Sequence, residues 1–273
     1  MVVGGESPGA YNDVEVINMN SSLSECFQPK DCPLRSHASG VFMNKYAFVC
    51  NHDCYIYDSV MDDWIRTFST NIERNDGALV QLSEDKFWII GGFGRSNSTE
   101  ICSPSNGCTY SAEIPVEYSF FPCAVKINET HIFLVANDHR TTFLFNQIDE
   151  TFHSLPLMQR GKNRASAGFI NGHEIVVAGG VSTRSSEIFD LDTNLWRWGP
   201  DLPVELDLQL AQALQFQDSF ILIGGYDHGE GYQDTILKFN PDSYRWTKLP
   251  QKLRNARRYH AAFFVSNDYI TCT

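Results

Sequence analysis

"IVVAGGVSTRSSEIFDLDTNLWRWGPDLP", residues 175–203, decides the fold. An apolar run closes on Gly179-Gly180, and a polar loop leads to a second run, SEIFDL. A turn rich in Asp and Asn follows, then a run carrying Trp196, then Leu202-Pro203. Branched and aromatic residues between Gly, Asn and Asp turns are strand signals rather than helix signals. The same order recurs in "ILIGGYDHGEGYQDTILKFNPDSYRWTKLP", residues 221–250.

Four diglycines end apolar runs, and their first glycines are residues 4, 91, 179 and 224. The last gap is 45 residues; the others, 87 and 88, are about twice that. AFVCN (47–51) and IFLVAN (132–137) stand halfway as degenerate copies. The period is therefore about 44 residues over six units, the signature of a propeller or solenoid. Each unit has an apolar strand a, a short polar turn, a strand b ending in Gly-Gly or its substitute, a longer loop, strand c, an Asp/Asn turn and strand d. LPVELDLQLAQALQF (202–216) reads as a long loop running into strand a, because of its phase. Unit one begins at strand b, so HAAFFVS (260–266) supplies its missing innermost strand and closes the ring. YITCT (269–273) reads as a second strand b that competes with MVVGG (1–5).

These motifs resemble the kelch repeat, strongly in the last two units and weakly in the first and fourth. The resemblance implies an all-β, six-bladed propeller of four-stranded antiparallel blades, one domain over residues 1–273. It also implies that Trp64, Trp196 and Trp246 pack between blades and that the glycines serve backbone geometry.

The composition agrees. With 42% hydrophobic residues the 273-residue chain can bury a large core. A net charge of −12 argues against a nucleic-acid partner. No apolar run is long enough for a membrane span. The N-terminus has neither a basic n-region nor an apolar h-region, so it does not read as a secretory signal.

Catalytic motifs are thin. Asp190-Leu191-Asp192-Thr193-Asn194 starts like a calcium loop, but the sixth position is Leu195 instead of Gly and the twelfth is Asp201 instead of Glu. His173-Glu174 lacks the second histidine of a zinc helix. There is no nucleophile elbow, phosphate loop or dinucleotide fingerprint. The eight histidines are scattered. No metal or cofactor is expected; an enzyme of the oxidase or sugar-epimerase type is the second alternative. The cluster Asp227–Asp234 reads as a recognition loop.

Strands that meander a to d send the b–c and d–a loops to one face and the a–b and c–d turns to the other. The turns hold Asp62, Asp63, Glu84, Asp85, Glu129, Asp149, Glu150, Asp192 and others, an acidic face. The loops collect Arg35, Arg74, Arg95, Arg140, Arg164, Arg184, Arg257 and Arg258, with Tyr226, His228, Tyr232 and Tyr259 as further anchors. Arginine binds carboxylates bidentately and is enriched at binding hot spots. The expected partner is a protein or peptide with acidic groups, bound by a monomeric propeller.

The eight cysteines make three local pairs by repeat phase: Cys26 with Cys32, Cys50 with Cys54, and Cys102 with Cys108. Cys123 and Cys272 are left as thiols. Neighbouring strands bring Cα atoms within disulfide range. The stretch Cys50-Asn51-His52-Asp53-Cys54 thus reads as a clamped hairpin rather than a metal site. Sequons at Asn20, Asn97 and Asn128 point the same way, to an oxidising compartment. The combination resembles secreted, cysteine-containing kelch proteins of invertebrates more than cytosolic ubiquitin-ligase adaptors, the alternative, whose BTB domain is missing.

Overall fold

The computed structural model describes residues 1–6, 12–20, 26–43, 45–92, 97–116, 121–136, 140–203, 212–216, 218–227 and 229–272. It is an all-β, six-bladed propeller, and no helix among the described residues is long and apolar enough to cross a membrane. Blade two is Ser39–Met43, Tyr46–Cys50, Asp53–Asp58 and Asp63–Ser69. Blade three is Ala78–Gln81, Phe87–Ile90, Thr99–Ser103 and Gly107–Tyr110. Blade four is Cys123–Lys126, His131–Val135, Thr142–Asn146 and Thr151–Ser154. Blade five is Ser166–Ile170, Glu174–Ala178, Ser186–Asp190 and Leu195–Trp198. Blade six is Gln212–Phe216, Ser219–Ile223, Thr235–Asn240 and Arg245–Lys252. All pairings are antiparallel, and strands a of successive blades pack side by side around the centre.

Blade one closes the ring. Ala261–Ala262 pairs with Val2–Val3, which pairs with Val14–Glu15. MVVGG is therefore strand b. Residues 269–272 instead lie elsewhere: Cys272 bridges to Cys26, Thr271 O accepts from Phe27 N, and Ile270 is buried in the core that blades one and two share. On the outer edge, the Gln28 side-chain amide bonds both Val16 N and Val16 O, standing in for the peptide group of a fourth strand.

The cores lie between blades. Trp64, Trp196 and Trp246 sit in strands d and pack there as the repeat implies. Their indole N–H groups donate to Lys30 O, Pro156 O and Pro200 O, each on the preceding blade. The diglycines also act through the backbone: Gly180 has φ 110°, and a Cβ there would lie 2.7 Å from Asn163 O.

The disulfides correct one pairing. Cys50–Cys54 and Cys102–Cys108 clamp hairpins, but Cys26 pairs with Cys272 across 246 residues. Cys32 is a buried thiol and so is unavailable to Cys26; its N–H donates to Asn12 O. Closure of the ring brings Cys26 and Cys272 to a Cα separation of 3.9 Å, which local spacing does not reveal. The free thiols are Cys32 and Cys123, both pushed up to about 12 by burial.

Candidate functional site

The d–a loops build the site at the mouth of the central channel. Two residues before strand a, five loops place a non-glycine residue in left-handed backbone: His37, Asp76, Phe121, Arg164 and Tyr259, with φ between 50° and 61°. Each costs about 1 kcal/mol or more, and such strain clusters where function requires it. Their side chains converge. His37 and Tyr259 rings lie 4.1 Å apart, His37 Nδ1 is 2.6 Å from Asp76, and Arg164 sits 4.2 Å over Phe121. Phe121 of blade four and Tyr259 of blade one come from opposite sides of the ring, yet their centroids are 6.2 Å apart.

Glu6, just past strand b of blade one, completes the mouth. It pairs with Arg258 at 3.0 Å and with His37 at 3.4 Å. Burial alone would lower the pKa of His37. The hydrogen bond and charge of Asp76, with Glu6, outweigh burial and hold it above the ordinary value. Arg258 stacks on Tyr226, Tyr259 and Tyr232 at 4.5, 4.8 and 5.5 Å. Tyr226 and Tyr232 face each other across a hairpin in which Tyr226–Asp227 pairs with Gly231–Tyr232. Asp227 accepts hydrogen bonds from Gly229 N and Glu230 N.

Beneath the mouth lies a cavity of about 120 Å³, walled by small residues such as Gly40, Ala78, Ala124, Ala167 and Ala213. That is below the range of about 300–1,000 Å³ usual for small-molecule sites, and leaves room for an inserted side chain. A second cavity, between blades six and one, has no acidic, basic or histidine side chain among its described lining residues.

The structure separates the expected arginines into three kinds. Arg74 and Arg257 are 1% exposed and serve the fold, which corrects their assignment to the surface. Each lies four residues before strand a, and the guanidinium is consumed inside its own blade. Arg74 bonds Glu100, Gly91 O and Ser98; Arg257 bonds Asp13, Glu15 and Gly4 O. Lys162 holds the same position in blade five, with Nζ on Ser185 and Glu187 nearby. The three glutamates also accept the N–H three residues before the cation: Arg254 N, Asn71 N and Gln159 N. Spacing hid this lattice, because each cation and its glutamate are distant in sequence. Arg164 and Arg258 form the mouth. Arg35, Arg140 and Arg184 are exposed; Arg95 and His228 lie outside the described residues. Two exposed arginines of this face, Arg160 and Arg254, had no repeat-phase signal and were missed.

The opposite face is acidic: Glu84, Asp85, Glu129, Asp149, Glu150, Asp192, Asp218 and Asp242 are exposed. His173, Glu174 and Asp190 lie there within 4.8 Å of one another. Glu174 already holds Arg197, Tyr244 and Asn171, and Asp190 caps its turn through Asp192 N and Thr193 N. Of the sequons, Asn20 and Asn128 are exposed and Asn97 is partly so.

No protein-family model matches the chain, and no curated protein matches it. Among solved structures it is similar to one titled "Structure of YjhT", with a TM-score of 0.72 and 12% identity over 89% of this chain and 99% of that one. At that identity the likeness extends to the fold.

Proposed function

We propose that this propeller is a non-enzymatic recognition module that binds a protein or peptide partner on its b–c/d–a face, centred on the channel mouth. The observation that carries this is the ring of left-handed residues: five loops of five blades hold strained, chemically diverse side chains at one opening. The kelch-like repeat grammar supports the same reading, since loops on a rigid ring can vary without disturbing the core. Tyr259→Ala with Phe121→Ala, in protein used to capture partners from the native source, tests it. Loss of the captured species with an intact far-UV spectrum and melt is the expected result; unchanged capture overturns it.

Three disulfides support an oxidising, extracellular setting. Native protein in that setting has two free thiols, Cys32 and Cys123. A count of eight in untreated protein would put it in the cytosol, as an adaptor. One contact favours an enzyme as the second reading: the His37–Asp76 pair is placed as an acid–base couple above a cavity. Copper or iron retained through purification from the native source would favour that reading.

A further inference from the structure

Ten of the thirteen arginines lie, by position in the chain, in the b–c and d–a loops. Their environments differ by sector. On the side of blades one to three, Arg258 pairs with Glu6, Arg257 with Asp13 and Glu15, Arg74 with Glu100 and His37 with Asp76, while Arg35 and Arg254 are exposed.

Blades four and five differ. Arg140 stands in the b–c loop of blade four, Arg160 in the d–a loop between the blades, and Arg184 in the b–c loop of blade five; all three are exposed. Among the described residues, none has a carboxylate within 4.0 Å. They share one stretch of surface, because backbone bonds tie their loops together. Arg140 Nε donates to Met158 O and Met158 N to Arg140 O. Val181 N donates to Asn163 O, and Leu202 N donates to Arg184 O. Arg164, at the mouth, lies on the same d–a loop as Arg160.

Glu187, which touches this loop, does not neutralise the group. Glu187 is fully buried, and its two oxygens accept Gln159 N at 2.6 Å and Arg160 N at 2.9 Å. Its carboxylate thus faces the backbone of the loop, while the Arg160 side chain is left to solvent. Asp201 is an exposed carboxylate of this sector, and it acts on Lys162.

We propose that the partner presents an extended peptide segment bearing several carboxylates, and that this segment lies across blades four and five on Arg140, Arg160 and Arg184. This rests on the reading that the face is the binding face, and adds the sector and the chemistry. Exposed guanidiniums without a carboxylate partner give up little on meeting one and can take it bidentately. Salt weakens such binding, since these charges are solvent-exposed.

The test uses a fluorescein-labelled decaglutamate peptide and the whole protein, read by anisotropy at low and moderate salt. The wild type binds it, more weakly as salt rises. The triple variant Arg140→Glu, Arg160→Glu, Arg184→Glu loses at least about tenfold in affinity, converted from roughly 1.4 kcal/mol. Arg35→Glu with Arg254→Glu, equally exposed but on the far side, changes it less than about twofold. All five positions are exposed, and an unchanged melt verifies folding. Equal losses in both variants overturn the sector assignment, as does full binding by the triple variant. A sulfated decasaccharide that binds more tightly than the peptide overturns the peptide assignment. No binding of decaglutamate to the wild type overturns the polycarboxylate proposal, and leaves the channel-mouth reading to stand or fall on its own capture test.

Discussion

Blade five and blade two fix the same corner, the end of strand b where it turns to strand c, in different ways. Blade five keeps Gly179-Gly180 and a buried Glu187 that gathers two loop N–H groups, with the Lys162 ammonium beside it. Blade two has Cys50 ending strand b at the position of Ala178, Asn51 in the glycine position and Tyr55 where the glutamate would be. Arg35, at the cation position, is exposed; the corner is held by Cys50–Cys54. Polar satisfaction and a covalent clamp are thus alternative solutions to one geometric problem. The first depends on solvent exclusion and fails abruptly when one partner is lost. The second tolerates a poor local sequence but depends on the redox environment.

The comparison can be broken most forcefully at the seam. On the chain-entropy model the Cys26–Cys272 bond contributes about 5 kcal/mol, because it spans nearly the whole chain. Cys26→Ser with Cys272→Ser should lower guanidinium-unfolding stability by that order. Next comes the buried lattice: Glu100→Ala leaves Arg74 without its counter-ion and should cost about 3–5 kcal/mol. Arg35→Ala, at the matching position of blade two, should fall within about 0.5 kcal/mol. If Glu100→Ala proves as mild as Arg35→Ala, the contrast between the blades disappears. Cys50→Ser with Cys54→Ser should cost about 2 kcal/mol, less than the seam, because the loop it closes is short. Trp196→Phe removes the bond to Pro156 O and should cost about 1 kcal/mol in the same assay.

The smallest effect is a pH slope at the mouth. His37 has a raised pKa in the fold, so the stability it contributes is complete below the ordinary value of about 6.5 and is lost as pH rises through the native value. His37→Gln should flatten that part of the stability–pH curve. An unchanged slope would detach His37 from Asp76 and Glu6.

The repeat phase made most of the ring legible. Strands alternate between glycines and Asn/Asp turns, and that local grammar placed strands a to d, the two hairpin disulfides and the inter-blade tryptophans. What it could not show was distance across the ring. Cys26 finds Cys272 only once the termini meet, and Arg74 finds Glu100 only once the d–a loop folds back over its own blade. A row of arginines in loops therefore read as surface, although Arg74 and Arg257 are buried. The channel mouth had a weak signal: the residues two before strand a share a backbone conformation but no side-chain type. Their convergence is a property of the closed ring, and neighbours in sequence carry no trace of it.

Because Cys26 is bonded to Cys272, the chain between them is a covalent loop. A protease that cuts any one peptide bond between these residues nicks the loop and releases nothing. The product keeps the mass of the intact protein plus one water, even in denaturant, until a reductant is added. Two cuts are needed before a fragment can leave, unless a hairpin disulfide still holds it.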